Sequence, residues 1–305
     1  MYNRLTKASI VFLHGLRGNI KETWTKDKIL WPKDILPQDV EKSRILLFGY
    51  DSGITHLDQS QVQRTDIHSD ADDLCARLGA ERSRTKTENR PIILIAHSLG
   101  GLVAAQILVH GERREEASNA RAITKHVRGM IFLGTPFRGS GSAKPAEAIR
   151  RVMDFLGVNT QQETLRLLGR DSERLDELVR GFPDVLNKRR MSQDPADQIQ
   201  AFFFYETKKT SSGFIVEPES AQIPGCGDAS PIDTDHIQIC KFSSDKDHGY
   251  KLVVSAIAKS LQPPRQAAAS GPVTKTINVS DNAQIINNAM ENINIQSQTF
   301  HFDRK

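Results

Sequence analysis

Short apolar runs rich in β-branched residues recur between residues 9 and 205. The segments between them carry apolar residues at helical spacing. Strands that alternate with helices predict an α/β fold with a mainly parallel sheet covered on both faces. The predicted strands are Ser9 to Leu13, Arg44 to Phe48, Ile92 to Ala96, Arg128 to Leu133 and Gln200 to Tyr205.

Helix boundaries are also readable in the pattern. A helix after Ser98 is expected to end near His110, because Gly111 and the charged stretch GERREEA follow. A last helix, at about 247–261, should stop before the Pro-Pro pair at 263–264. A crossover helix is predicted where Ala71, Leu74, Cys75 and Leu78 recur at helical spacing.

The segment 136–198 interrupts the alternation with a long helical pattern. It includes a capping box formed by Thr160 and Glu163. An insertion at this point of the sheet would lie over the side that carries Ser98, so we expect a helical cap that shapes an acyl pocket. The alternative is a set of extra helices packed on the body of the domain.

The C-terminal part predicts a linker and a separate motif. Residues 262–275 are rich in Pro, Ala, Ser and Gly and have no hydrophobic period, which is typical of a linker. Residues 276–305 are polar but nearly uncharged, with six Asn, three Gln and two formal charges between Thr276 and Phe300. This composition and its apolar alternation favour a stacked, prion-like cross-β segment; a disordered tail or a docked strand is the alternative. The alternating pairs are Ile277 with Val279, Ile293 with Ile295 and Phe300 with Phe302.

Composition limits the function classes. The 305 residues suffice for one large domain, expected at 1–261. A net charge of +4, from 41 basic and 37 acidic residues scattered along the chain, argues against a nucleic-acid partner. Three cysteines without metal-ligand spacing indicate reduced thiols, and the apolar run before His14 is too short for a signal peptide or a membrane span. We therefore expect a cytoplasmic protein.

The stretch IILIAHSLGGLVAAQI at 92–107 predicts a nucleophile elbow. It would hold Ser98 on a sharp turn between a strand and a helix, and the small residues Ala96 and Gly100 make the strained backbone tolerable. The turn would aim the Leu99 N–H and the positive helix N-terminus at an oxyanion in front of Ser98. The predicted reaction is acyl transfer to a serine.

A general base and an orienting acid must follow Ser98 in the chain. His236, in the irregular loop PIDTDHIQIC, is the predicted base; the alternative is a capping or solvent-facing histidine. Glu206 directly follows the apolar run 201–205 and is the predicted acid. The competing carboxylates are Glu217, Glu219, Asp233 and Asp235.

The end of the first strand predicts the rest of an oxyanion hole. In His14-Gly15-Leu16-Arg17-Gly18 the glycines allow a sharp turn, so that the N–H of Leu16 or Arg17 can join that of Leu99. We expect His14 to hold this loop by hydrogen bonding and His97 to be structural. The predicted chemistry needs neither a metal nor a cofactor.

Several segments in order resemble the SesB-like serine hydrolases, which are N-terminal effector domains of fungal NLR proteins. This group is related to the mitochondrial serine-active-site-containing proteins and to inositol-deacylase-type lipases. The resemblance covers 8–261 and implies an α/β-hydrolase fold and an esterase or lipase activity, with Ser98 as nucleophile and His236 as base. Ala96 departs from a strict G-x-S-x-G elbow. The segments are HGLRGNIKETW, WPKDILP, FGYDSG, AHSLGGLVAAQ, IFLGTPFRGS, FFYET, PESA and DHIQICKF.

The tail sequence VSDNAQIINNAMENINI resembles the HET-s-type amyloid signalling motifs, and no G-x-x-x-x-G-K-[ST] nucleotide-binding motif occurs in the chain. The resemblance implies a partner NLR that templates the tail into a β-stack. Clustering would then activate a cell-death effector against lipid esters, with a membrane surface as a further partner. The alternatives are a housekeeping lipid esterase or thioesterase with a disordered tail, and a non-catalytic interaction module derived from a hydrolase.

Overall fold

A computed structural model describes residues 8–50, 67–113, 118–138, 145–157, 170–211 and 213–262, with the side chains of 170–172 left out. Eight strands occur within these ranges. In chain order they are β1 (Ser9–Leu13), β2 (Thr25–Lys26), β3 (Ile29–Leu30), β4 (Arg44–Phe48), β5 (Ile92–His97), β6 (Val127–Leu133), β7 (Gln200–Glu206) and β8 (Asp228–Ile232).

The helices that connect and cover these strands are α1 to α7 in the described part of the chain. They are α1 (Trp31–Asp34), α2 (Ile67–Arg84), α3 (Gly100–Arg113), α4 (Asn119–Thr124), α5 (Pro145–Phe155), α6 (Arg170–Arg190) and α7 (His248–Ser260). Two short 3₁₀ turns lie at Glu22–Trp24 and Leu36–Gln38. Within the described ranges no helix is long and apolar enough to cross a bilayer.

The central sheet has six parallel strands in the order β4-β1-β5-β6-β7-β8. All five strands predicted from the hydrophobic pattern are confirmed, each with its ends within one residue. The pattern missed β8, whose sequence DASPI is mostly exposed and contains Pro231. An edge strand tolerates proline and needs few apolar residues, so such a strand has no hydrophobic signature.

Two hydrophobic cores lie on the opposite faces of this sheet. Because successive strand residues point to opposite faces, Val11 and Leu13 enter one core while Ile10 and Phe12 enter the other. The first core includes residues of α2, α3 and α6, and the second includes residues of α1 and α7. Burial on both faces explains why the central strands are continuous apolar runs.

The strand order creates a switch point between β1 and β5. From β1 the chain crosses to β4 on one side and then returns to β5 on the other. Parallel strands bring their carboxyl ends to one edge, so the loops after β1 and β5 meet there. The register pairs Leu13 with Ala96, which places His14 beside His97 at this edge.

The prediction that helix α3 ends near His110 was wrong. The helix continues through Gly111 to Arg113. A Cβ atom at position 111 would lie 2.3 Å from the Oγ1 and Cγ2 atoms of Thr124. The glycine therefore serves the close packing of α3 against α4 rather than terminating the helix. By contrast, the crossover helix and the last helix are confirmed as α2 and α7.

The inserted segment packs in two directions within its described part. Phe182 and Leu186 of α6 are buried in the core that contains α3. Val152 of α5 instead packs with Ile215 and Val216, beside Leu99. Because Ile149 and Met153 of α5 also enter the first core, both helices pack on the body, and α5 in addition borders the elbow. The capping box at 160–163 and the segment 263–305 lie outside the described residues, and the cap and the domain boundaries stay predictions.

Gly111→Ala should lower the free energy of unfolding by about 1–3 kcal/mol, because the new methyl group collides with Thr124. Gly79→Ala in α2 is the matched control, since its Cβ would lie 3.7 Å from the Asn119 side chain, an ordinary contact. Helix propensity alone should make this second variant neutral or more stable by up to about 1 kcal/mol. Urea denaturation of both variants measures the difference; equal stabilities would contradict the α3–α4 packing.

Candidate active site

Ser98 stands on the turn between β5 and α3 in a left-handed backbone conformation. Its φ is +52°, which is uncommon for a residue other than glycine. The Ser98 N–H donates to Leu133 O at 2.9 Å, which ties the turn to the neighbouring strand β6. The sharp turn predicted from the sequence is therefore present.

The need for a small residue after the turn is a steric one. A Cβ atom at Gly100 would lie 2.3 Å from His14 O and 2.8 Å from Leu13 O. The next residue is equally confined, because a Cβ atom at Gly101 would lie 2.0 Å from Thr135 Oγ1. Helix α3 can thus begin directly against the end of β1 only with glycine at position 100, and against the segment after β6 only with glycine at position 101.

A chain of hydrogen bonds connects Ser98, His236 and Glu206. Ser98 Oγ lies 3.0 Å from His236 Nε2, and His236 Nδ1 lies 2.8 Å from Glu206 Oε2. The exposed fractions are 2%, 1% and 0%, so water competes little for these bonds. When Glu206 is ionised it only accepts, and neutral His236 then donates from Nδ1 and accepts from Ser98 at Nε2. The structure thus brings together the three residues predicted from chain order and loop context.

Glu206 is oriented through its second oxygen. Its Oε1 accepts hydrogen bonds from the backbone N–H groups of Ile215 at 2.9 Å and Val216 at 3.1 Å. These donors leave Oε2 to face His236. These two backbone donors could not be predicted from the sequence, because an N–H group carries no residue-type signature.

Three of the four competing carboxylates, those of Glu217, Asp233 and Asp235, have other partners, and among the described residues none of the four bonds to the His236 ring. Glu217 pairs with Arg151 at 3.3 Å, and Arg138 donates to the Glu219 carbonyl. Asp233 pairs with Lys208, whose hydrogen bond lowers the pKa of that carboxyl. Asp235 accepts from the N–H groups of Ile237 and Gln238 and so shapes the loop that carries His236.

His97 contacts the backbone carbonyl and the ring of His236. Its Nε2 lies 3.0 Å from His236 O, and the two ring centroids are 5.1 Å apart. Burial, reinforced by the neighbouring His236, lowers the pKa of His97 to about 3, so the imidazole is neutral near pH 7. A carbonyl oxygen only accepts, so His97 donates from Nε2. This contact fits the structural part expected for His97 from the sequence.

The predicted oxyanion turn lies directly against Ser98. Gly18 N–H closes it with a 3.0 Å hydrogen bond to Gly15 O, and Arg17 has a φ of +52°. A Cβ atom at Gly15 would lie 2.9 Å from Ser98 Cβ. Among the described residues none accepts a hydrogen bond from the N–H of Leu16, Arg17 or Leu99. All three predicted donors thus stay candidates.

Apolar side chains border this site. Leu99 and Leu156 pack against a small buried cluster that includes Val152, Ile215 and Val216. Arg17 Nη1 donates to Leu156 O at 2.7 Å, which ties the oxyanion turn to the end of α5. The surroundings of Ser98 therefore combine a set of polar donors with an apolar wall.

Sequence reasoning did not assign a role to Tyr50 or Gly134. Gly134, with a φ of +60°, stands behind the base, where a Cβ atom would lie 3.1 Å from His236 Nδ1. Tyr50 contacts His14 and lies in the motif FGYDSG. A signal for Tyr50 was available: it stands two residues beyond β4, at the edge where the loops meet.

Comparisons with known proteins add the family context. A model described as the alpha/beta hydrolase family matches residues 10–211, a range that includes Ser98 and Glu206 and ends before His236. Protein SERAC1 of Mus musculus is 27% identical over 278 residues, which cover 84% of this chain and 39% of that protein. Protein SERAC1 of Homo sapiens is 26% identical over 278 residues, with the same two coverages. The chain spans about two fifths of the length of these curated relatives.

A solved structure with a similar fold is the esterase Pf2001 of Pyrococcus furiosus. It superposes with a TM-score of 0.50 and covers 84% of this chain and 85% of its own. The two sequences are 13% identical, so the similarity shows a shared fold alone.

Glu206→Ala should lower the free energy of unfolding by about 3 kcal/mol, because it leaves the buried N–H groups of Ile215 and Val216 and the His236 ring without an acceptor. Glu217→Ala is the control, since its ion pair with Arg151 is partly exposed and contributes at most about 1 kcal/mol. Chemical denaturation compares the two. A loss at Glu206 no larger than that at Glu217 would contradict the buried network.

Proposed function

Because this chain belongs to the alpha/beta hydrolase family and has its fold, we propose that it is a serine esterase or lipase that cleaves carboxylic esters of lipids. The observation that carries the proposal is the hydrogen-bond chain from Ser98 through His236 to Glu206, with Ser98 held at a φ of +52°. These are the parts and the geometry that acyl transfer to a serine requires.

In the first half of the reaction, Ser98 Oγ attacks the carbonyl carbon of the ester. His236 Nε2 lies 3.0 Å from the hydroxyl and takes its proton as the C–O bond forms. The imidazolium formed is stabilised by Glu206, 2.8 Å away. The negative charge on the carbonyl oxygen is bound by the Leu99 N–H together with that of Leu16 or Arg17.

Collapse of this intermediate breaks the ester C–O bond. His236 returns its proton to the leaving alkoxide, and an acyl group remains on Ser98. In the second half, water attacks the acyl carbon while Nε2 accepts its proton. The proton then passes to Ser98 Oγ, which releases the carboxylic acid and restores the enzyme.

The apolar wall beside the nucleophile supports an acyl chain as the group that is bound. Leu99 immediately follows Ser98 and packs with Val216, next to the donors that orient Glu206. An aliphatic chain laid against this wall gains about 0.8 kcal/mol for each methylene group removed from water. A small polar ester lacks this gain, which favours lipid substrates.

Ser98→Ala should lower the rate of ester hydrolysis by about 10³-fold or more, because the nucleophile is removed while the fold is kept. A fluorophosphonate probe should label the wild-type chain at Ser98, as identified by peptide mass spectrometry. Ser260→Ala is the matched control: its hydroxyl is also buried but bonds to Ala256 O in α7, so labelling and turnover should be unchanged. Well-folded wild-type protein that neither labels nor hydrolyses p-nitrophenyl butyrate would refute the proposal and favour a non-catalytic interaction module.

The proposal extends to regulation by the segment 276–305, which lies outside the described residues. Its support is the apolar alternation, the Asn and Gln content and the scarcity of charge in this sequence, together with its resemblance to amyloid signalling motifs. A partner NLR with a matching motif would template a β-stack and so cluster the hydrolase units. Many weak contacts with a membrane surface would then add up on one assembly, as expected of a cell-death effector.

Ile293→Pro in the full chain should abolish assembly, because proline interrupts the hydrogen-bond ladder of a stacked strand. Ala268→Pro is the control, since it adds a proline to a linker that already contains Pro263 and Pro264. Thioflavin fluorescence and sedimentation of the purified proteins measure assembly, and hydrolysis of p-nitrophenyl butyrate by the soluble monomers should be equal. A wild-type chain that stays monomeric, with or without a seed of its own aggregate, would favour a housekeeping esterase with a disordered tail.

A further inference from the structure

We propose that Tyr50 is a positioning residue for the oxyanion turn: its hydroxyl and ring hold the His14–Gly15 peptide so that the N–H groups of Leu16 and Arg17 face the reacting carbonyl. This inference rests on the proposed esterase function. It concerns a residue whose hydrogen bond and ring contacts go to His14 and Phe48 rather than to Ser98, and which acts through the turn it holds.

The sheet register brings Tyr50 to the oxyanion turn. Strands β1 and β4 are parallel, and Leu13 pairs with Phe48. Two residues further along, Gly15 and Tyr50 are therefore at the same level of the sheet edge. The position follows from strand pairing and does not depend on the packing of a long loop.

Two separate contacts join Tyr50 to His14. The phenol O–H donates to the His14 carbonyl oxygen, and the phenol ring stacks on the imidazole with centroids 4.4 Å apart and an interplanar angle of 7°. Burial raises the pKa of Tyr50 above its ordinary value, so the hydroxyl keeps its proton and stays a donor at neutral and mildly alkaline pH. The hydrogen bond fixes the direction of the carbonyl, and the stacking fixes the plane of the imidazole.

The His14 carbonyl is confined on its other side by helix α3. A Cβ atom at Gly100 would lie 2.3 Å from this oxygen, which means that the helix backbone is already in close contact with it. The carbonyl belongs to the peptide unit that enters the turn, so its direction sets the direction of the turn. Tyr50 on one side and Gly100 on the other therefore hold a single peptide plane.

The Gly15 carbonyl links this peptide to the rest of the turn. Gly15 O accepts from His14 Nδ1 at 3.0 Å and from Gly18 N–H at 3.0 Å. Burial lowers the pKa of His14, which keeps the ring neutral, with Nδ1–H as the donor. Because His14 is stacked on Tyr50, the ring that closes the turn is itself held by the phenol.

Tyr50 is in turn supported by α2. Arg77 Nη1 donates to Gly49 O at 3.0 Å, and its guanidinium lies 4.8 Å from the centroid of the Phe48 ring. The Phe48 ring lies 5.5 Å from that of Tyr50 at an angle of 23°. Residues 48–50 are thus held by contacts with α2 and with one another. A residue that positions a catalytic turn requires such support.

Tyr50→Phe removes the O–H and keeps the ring, so the fold should persist while the turn loses its fixed direction. We expect kcat for p-nitrophenyl butyrate to fall by about 10-fold, with KM within about twofold of wild type, because an oxyanion donor acts in the transition state and little in the ground state. The affinity for butylboronic acid, which forms a tetrahedral adduct with the serine, should fall by the same factor. Rates are expressed per active site, titrated with a fluorophosphonate, so that loss of folded protein does not count.

Tyr250→Phe is the matched control, since it also removes a tyrosine hydroxyl, here that of a buried residue that donates to Asp39 in another part of the domain. It should change the melting temperature and leave kcat and boronate affinity as in wild type.

The inference is overturned if Tyr50→Phe keeps kcat within twofold of wild type, or if kcat falls without loss of boronate affinity. A wild-type chain that does not react with the ester or the fluorophosphonate would overturn the proposed esterase function and this inference with it, whereas an active wild type with an equally active Tyr50→Phe overturns the inference alone.

Discussion

The left-handed backbone of Ser98 is the constraint on which the rest of the site depends. A non-glycine residue at this φ costs about 1–3 kcal/mol and persists only where its surroundings hold it. Here the Ser98 N–H is bonded to Leu133 O, and Gly100 is packed against the carbonyls at the end of β1. The strain therefore requires β1, β5 and β6 side by side, and the parallel sheet supplies that arrangement.

The sheet also distributes the chemical parts over separate strand ends. Ser98 follows β5, the oxyanion turn follows β1, Glu206 is the last residue of β7 and His236 follows β8. Of these strands β1, β5 and β7 are largely buried on both faces, which specifies their register strongly. The loops then need only short-range support: Asp235 shapes the His236 loop, and His97 bonds to the His236 carbonyl.

Residues whose chemistry is visible in their type could be predicted from the sequence, and residues that act through the backbone could not. The strand ends, the elbow and the pairing of His236 with Glu206 follow from apolar runs and chain order. The roles of the Ile215 and Val216 N–H groups, the close packing at Gly111 and the edge strand β8 follow from tertiary contacts. Gly111 illustrates the difference. Local rules predict that it ends the helix, but Thr124 packs against it, so its role is in packing.

The polar groups around Ser98 divide into two sets with different electrostatic roles. Glu206, His97 and the carbonyls of His14 and Gly15 all have partners, so they cannot reorient toward a substrate. The N–H groups of Leu16, Arg17 and Leu99 bond to no described residue, and they sit on the backbone that the first set holds. Donors fixed in this way stabilise a developing oxyanion without reorganising. Water must reorient around the same charge, so fixed donors lower the barrier more than water does. The hydrogen bonds formed within the site thus hold in place the three N–H groups that bond to no described residue.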